Sequence, residues 1–255
     1  MTSSLFSTVE LAPRDPIIGL NELFNADARP VKVNLGVGAY FDESGKIPLL
    51  NAVKLAEKAR LERAPARAYL PIDGLATYNK AVQTLLFGQE SPLLSAGRVV
   101  TAQALGGTGA LKIGADYLKR LSPDATVFIS DPSWENHRAL FESAGFPVKT
   151  YPYYDASTRG VNFSGMKDAL NALPAGSIIV LHACCHNPTG ADLSAAQWRE
   201  VIEVVGARGL VAFIDMAYQG FADGLSEDAL ALNLFAASGL SFFVSSSYSK
   251  SFSLY

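Results

Sequence analysis

SIIVLHACCHNPTGADLSAAQWREVIEVVGARGLVAFID, Ser177–Asp215, decides the fold. An apolar run, SIIVLH (Ser177–His182), gives way to turn-forming residues. A helical pattern follows from Ser194 to Arg208, and then a second apolar run, LVAFID (Leu210–Asp215). Runs this apolar suit strands covered by helices on both faces, and the strand–helix–strand order suits parallel pairing. The alternation continues outward in both directions. Strands are expected at RVVTAQAL (Arg98–Leu105), TVFIS (Thr126–Ser130), PVKTYPY (Pro147–Tyr153) and SFFVSSS (Ser241–Ser247). Helices are expected near Gly109–Leu121, Asn136–Ala144, Phe163–Leu173 and Glu227–Ser238. The implied fold is α/β, a mainly parallel, doubly wound sheet.

The N-terminal part reads differently. A short helix near Ile17–Asn25 precedes an extended segment, KVNLGVGAY (Lys32–Tyr40). A longer helix (Leu50–Arg63), a loop YLPIDGL (Tyr69–Leu75) and a helix at Ala76–Phe87 follow. No internal repeat, low-complexity stretch or dividing linker is visible.

With 49% hydrophobic and 18% charged residues, the 255-residue chain can bury a substantial core. Its net charge of −3 offers no general attraction to nucleic acid or an anionic membrane, so any bound phosphate needs a local site. The N-terminus lacks the basic and apolar regions of a signal peptide, and no apolar run approaches a membrane span. The only cysteines, Cys184 and Cys185, are adjacent and make a poor disulfide framework. A cytoplasmic location is the simplest expectation.

Unusual polar residues follow the expected strand ends, the edge at which parallel α/β sheets bind ligands. ALGGTGALKIG places Gly106, Gly107 and Thr108 where glycines and free helix-start amides favour an anion. It matches neither G-x-G-x-x-G nor the Walker pattern, and a plain tight turn is the alternative. Asp215 ends a buried strand with Tyr218 three residues on; it would need a cationic or hydrogen-bonding partner, or it caps the next turn. LHACCHNPTG suggests a metal site through His182, Cys184 and His186, but zinc sites usually space their cysteines by two residues or more. A turn aiming Asn187 into the cleft is preferred to a metal. SDPSWENH supplies Trp134, able to stack on a flat ligand, and His137; both could equally be filler. Lys250, alone among serines in SSSYSKSFSLY, could form a Schiff base if desolvated, or be a surface lysine. Ser247–Lys250 also satisfies S-x-x-K of serine acyl-enzymes, without the S-D-N and K-T-G partners.

Taken in order, NLGVGAY, YLPIDGL, GGTGAL, DPSWENH, CCHNPTGADL, DMAYQGF and SSSYSKSFSLY resemble the fold-type I pyridoxal-phosphate enzymes. The nearer resemblance is to class I aminotransferases of the aspartate/aromatic type. It implies a three-layer α/β/α large domain over 46–255 that binds cofactor, and an N-terminal arm with a small-domain segment over 1–45. It implies pyridoxal 5'-phosphate as cofactor and Lys250 as its Schiff-base lysine and catalytic base. Asp215 would pair with the ring nitrogen, and Tyr218 and Asn187 with the ring oxygen. Trp134 would stack on the ring, with His137 behind Asp215. Gly107, Thr108 and Ser247 would hold the phosphate, helped by Tyr69 of a partner subunit. Gly38, Trp134 and Asn187 would lie against substrate.

The implied reaction is ping-pong transamination between aspartate, tyrosine or phenylalanine and 2-oxoglutarate, by a homodimer with shared active sites. The family's chains continue past the position of Tyr255. They supply there an arginine to the phosphate, arginines to substrate carboxylates, a sheet strand and most of the small domain. The expectation is therefore a piece of a longer protein, inactive by itself; a non-catalytic chain that only binds cofactor or associates is the alternative.

Overall fold

The computed structural model describes Ser4 and residues 6–11, 16–34, 36 and 40–255. Gly38, expected near substrate, lies outside the described residues. Two compact units divide the chain, Met1–Pro48 and Leu49–Tyr255. The first contains α1 (Pro16–Ala26). Lys32 closes its C-terminal end, with Nζ donating to the carbonyls of Phe24 and Asp27 at 2.6 Å each. A cation there meets unpaired carbonyls and the negative end of the helix dipole.

The second unit runs α2 (Asn51–Arg63), α3 (Ala76–Phe87), α4 (Pro92–Ser95), α5 (Gly106–Leu121), β1 (Val127–Asp131), α6 (Glu135–Ser143) and β2 (Val148–Pro152). It continues through β3 (Tyr154–Asp155), β4 (Gly160–Val161), α7 (Phe163–Ala172), β5 (Ile178–His182), α8 (Ala195–Arg208) and β6 (Val211–Met216). It ends with α9 (Leu230–Ser238), β7 (Phe242–Ser246) and α10 (Ser249–Phe252). Five strands pair in parallel in the order β2-β1-β5-β6-β7, while β3 and β4 form a separate antiparallel hairpin.

Alternation along the strands makes the layers. Phe128, Ile179, Leu181, Ala212 and Ile214 pack into one core with residues of α3, α7, α8 and α9. Val127, Ile129, Ile178, Val180 and Phe213 pack into a second core with residues of α5 and α6. A strand with both faces buried has no polar face, hence the uninterrupted apolar runs. The α8 crossover is bounded by a capping box, Ser194 with Gln197, and by Gly209 at φ 62°. The chain steps from β1 outward to β2, then returns to β5 and proceeds the other way. That reversal opens a crevice between the carboxyl ends of β1 and β5.

Three expectations are corrected. Arg98–Leu105 forms no regular element and pairs with no strand among the described residues. Side chains of α3 bind this segment instead: Asn79 Nδ2 donates to Thr101 O at 3.1 Å, and Gln83 Nε2 to Thr101 Oγ1 at 2.8 Å. Pattern reports that a segment suits a strand but not whether a neighbouring strand lies beside it. A cleft of about 520 Å³ has this segment on one wall and β7 residues Phe242 and Val244 on another. The second correction is the start of α5, which lies at Gly106 rather than Gly109, so the glycines form the helix's first turn. The third is α9, which begins at Leu230 because Asp228 organises the residues before it into a loop.

Candidate active site

A cavity of about 560 Å³ opens above the carboxyl edge of the sheet. The start of α5 contributes Gly106, Gly107 and Thr108, and the β1 loop contributes Trp134. His182 ends β5, with Cys184 and Asn187 in the following loop. The end of β6 brings Asp215, Ala217 and Tyr218, and the segment after β7 brings Ser247, Ser249 and Lys250. Tyr255 also lines it.

At the start of α5 the N-cap is Leu105, whose side chain cannot accept a hydrogen bond. The amides of Gly106, Gly107 and Thr108 have no backbone acceptor among the described residues. Such amides at a helix start favour an anion. Gly106 has φ +63°, and Gly107 is pressed against the segment leaving β7. A Cβ on Gly107 would lie 3.0 Å from Cβ of Ser247, and Ser245 Oγ donates to Gly107 O at 3.2 Å.

Asp215 is 7% exposed and accepts from His137 Nε2 at 2.8 Å. His137, fully buried in α6, has its Nδ1 2.9 Å from Ser133 Oγ. The Trp134 ring meets His137 edge-on, with centroids 5.3 Å apart. Tyr218 follows Asp215 by three residues; burial foremost, then the Asp215 charge, pushes its pKa up, and a hydrogen bond with Asn187 opposes this. Lys250 sits on α10, its Nζ 5.8 Å from the Tyr218 ring centroid and 5.4 Å from that of Tyr255.

The HACCH stretch is a packed hydrogen-bonding knot. His186 stacks on Tyr153 with centroids 4.0 Å apart, and its ring nitrogens meet Ser130 Oγ at 2.9 Å and Thr189 Oγ1 at 2.8 Å. Burial, then His137, pushes the His186 pKa down to about 4. Burial, then His137 and His186, holds His182 well below the usual imidazole range. Among the described residues no group of three His, Cys, Asp or Glu side chains is arranged to hold a metal. The Ser247 hydroxyl donates to Ser249 Oγ at 3.3 Å and accepts from the Ser249 amide.

Of the residues singled out from sequence, Lys250, Asp215, Tyr218, Gly107, Thr108, Trp134, Asn187 and Ser247 line the one cavity. His137 stands behind Asp215, whereas Tyr69 is fully exposed and outside the lining. The sequence does not single out Ala104, Leu105, Leu111, Ala217, Ser249 or Tyr255 as lining residues, and it suggests His182 only for a metal and Cys184 only for a metal or a disulfide. Proximity to the strand ends was the one signal that could have found them.

A family model described as "Aminotransferase class I and II" matches residues 30–255. An aspartate aminotransferase of Pseudomonas aeruginosa is 69% identical over 252 residues, covering 99% of this chain and 63% of the relative. An aromatic-amino-acid aminotransferase of Escherichia coli is 53% identical, covering 98% of this chain and 64% of the relative. Among solved structures, an aromatic-amino-acid aminotransferase from Burkholderia pseudomallei, covalently bound to pyridoxal phosphate, superposes with a TM-score of 0.97 at 69% identity. That match covers 99% of this chain and 63% of the solved one. The chain thus spans less than two thirds of the length of these relatives.

Proposed function

The chain belongs to the class I and II aminotransferase family, and on that premise we propose that it binds pyridoxal 5'-phosphate above the sheet edge. The reaction of the whole protein is transfer of an amino group from aspartate, tyrosine or phenylalanine to 2-oxoglutarate, in two half-reactions. The carrying observation is that a lone amine, Lys250, shares one cavity with buried Asp215 and the open amides of α5. The donor set fits the group: amides for a phosphate, a carboxylate for a ring nitrogen, an amine for an aldehyde.

When bound, the cofactor supplies an aldehyde that takes up the amino group and a ring that draws electrons from the breaking bond. Lys250 would hold the aldehyde through its amine, and the same amine is the group placed to accept and return the substrate's α-proton. Asp215, oriented by His137, sets a negative charge against the ring nitrogen. Tyr218 and Asn187 act together on the ring oxygen, consistent with their hydrogen bond to each other. Trp134 would stack on the ring, and Gly107, Thr108 and Ser247 would hold the phosphate. Trp134 and Asn187, on the cavity wall, would face the substrate. Tyr69, exposed on its own chain, reaches the phosphate of a second copy in a homodimer. Among the described residues no helix is long and apolar enough to cross a membrane, and a cytoplasmic location belongs to this reading.

Borohydride reduction in the presence of pyridoxal phosphate, followed by peptide mapping, tests the proposal. The reduced cofactor should map to Lys250 and disappear in Lys250→Ala. A label on another lysine would overturn the assignment. Substrate choice is tested by transamination of aspartate and of tyrosine by the whole protein, with parallel double-reciprocal lines expected for either.

A further inference from the structure

Between β5 and α8 the chain makes a loop that closes on one carboxylate. Asp192 accepts from two successive amides, that of Cys185 through Oδ2 at 2.6 Å and that of His186 through Oδ1 at 2.8 Å. Those amides flank Cys185, whose φ of +48° lies in the left-handed region that residues other than glycine rarely enter. Successive amides about such a residue converge and make a cup for an anion. A backbone of this kind persists only where its surroundings hold it, and neither amide has another acceptor among the described residues. The rest of the loop is fixed separately: the Gly190 amide donates to His186 O at 2.7 Å, and the Tyr153 hydroxyl to Ala191 O at 2.6 Å. Asn187 rides on this closed loop at the cavity wall, hydrogen-bonded to Tyr218.

We propose that Asp192, on the surface and outside the cavity lining, is a positioning residue: by holding the amides of Cys185 and His186 it aims the side-chain amide of Asn187 into the cavity. The Asn187 side chain keeps its place against Tyr218 only if the backbone just before it is fixed. The His186 ring, stacked on Tyr153 and bonded to Ser130 and Thr189, fixes its own side chain but not the direction of its amide. Only a carboxylate offers both of its oxygens as acceptors. Asparagine in its place would satisfy one amide and turn an NH₂ toward the other, and alanine would satisfy neither. The competing account is an anchor that stabilises the loop without reaching the cavity. The role toward the ring oxygen rests on the proposed function, in which Asn187 faces that oxygen.

Two measurements on the whole protein separate these accounts. Without cofactor, hydrogen exchange at the Cys185 and His186 amides should quicken roughly tenfold in Asp192→Ala. Unchanged exchange in the folded variant would overturn the proposal. With pyridoxal phosphate bound, the second readout is the pH midpoint of its absorbance change. A donor on the ring oxygen draws charge from it and loosens the proton that oxygen shares with the Lys250 nitrogen, so a weakened donor raises the midpoint. Asn187→Ala and Asp192→Ala should each raise it by about one unit. Asp192→Asn should raise it by less, and the double alanine variant no further than Asn187→Ala alone. An unshifted midpoint in folded Asp192→Ala, or shifts that add in the double variant, would overturn the proposal and leave Asp192 a structural anchor. Should Asp192→Ala fail to fold, Asp192→Asn carries both measurements with the same readings. Failure of the cofactor reading would appear separately, as no borohydride label on Lys250 in the unaltered protein; the loop anchor would then stand and its role toward the ring oxygen would fall.

Discussion

The amides before α9 and those at the start of α5 make a contrast: the first group has its anion built in, and the second opens on a cavity. In the loop before α9, the amides of Gly220 and Ala222 donate to Asp228 Oδ2, and those of Asp223 and Gly224 to Oδ1. Asp228 is 4% exposed, and the carboxylate is enclosed by chain that it organises. At the start of α5, the amides of Gly106, Gly107 and Thr108 have no backbone acceptor among the described residues, and they line the cavity. Asp215 repeats the contrast among carboxylates. It accepts one bond from His137 through Oδ2, and its side chain otherwise faces the cavity. A self-contained group of charges holds the fold; one left incomplete can hold a ligand.

The two carboxylates should therefore respond in opposite ways to the same isosteric change. In the whole protein Asp215→Asn should lower transamination by roughly a thousandfold, because the group facing the ring nitrogen loses its charge. Its unfolding free energy should move by less than about 1 kcal/mol, since an amide oxygen can still accept from His137. Asp215→Glu should retain far more activity than Asp215→Ala. Equal activities in the Glu and Ala variants would show that charge at this position is not what matters.

Asp228→Asn should do the reverse. One carboxylate oxygen becomes an NH₂ that faces amide donors, leaving part of the set unsatisfied in a buried loop. Urea unfolding should report a loss of about 3–5 kcal/mol. Turnover per folded molecule should stay near normal. A large fall in turnover with unchanged stability would place Asp228 in the active machinery and erase the contrast.

Acid should weaken the fold through the histidine cluster. In the unfolded chain an imidazole titrates near 6.5, whereas buried His186 titrates at about 4. Between those values the unfolded chain takes the proton and the folded chain does not. The contribution is complete above about pH 6.5, falls as pH drops toward 4, and is level below. The full loss is on the order of 3 kcal/mol, and His182, also depressed, acts in the same direction. Urea midpoints between pH 7 and pH 4 should show this slope, and His186→Gln should flatten it.

The sheet was legible because burial on both faces leaves strands such as Ile178–His182 and Val211–Met216 without a polar side. The positions of Lys250, Asp215 and Asn187 were legible for a related reason: polar residues placed just after such strands gather at one edge. Arg98–Leu105 misled because strand pattern carries no information about a neighbour. The hydrogen bonds that link Asn187, His182, Ser133, His137 and Asp215 were not legible either, since they join a helix, two loops and two strands through distances that no sequence period encodes. For His182 the sequence suggests only a metal ligand. Its actual partners, Ser133 and the Asn187 amide, are polar groups with no motif of their own.

The smallest effect sharpens the comparison most, because it concerns the open amides themselves. Gly107→Ala adds a methyl whose carbon would start 3.0 Å from Ser247 Cβ, tighter than most side-chain carbons pack, so one side must give. The backbone cannot simply retreat. Ser245 Oγ ties Gly107 O to β7, and the Ser247 amide donates to Met216 O at 3.0 Å. The first turn of α5 must therefore tilt, at a cost of about 1–2 kcal/mol in unfolding free energy. The tilt re-aims amides that an anion needs, so the whole protein should lose affinity for pyridoxal phosphate while its affinity for unphosphorylated pyridoxal changes much less. Adding Ser247→Gly removes the opposing Cβ and should restore stability and part of the phosphate preference. Equal losses for pyridoxal and its phosphate would mean that these amides do not distinguish the anion, and the open group at α5 would then be structural like the closed one at Asp228.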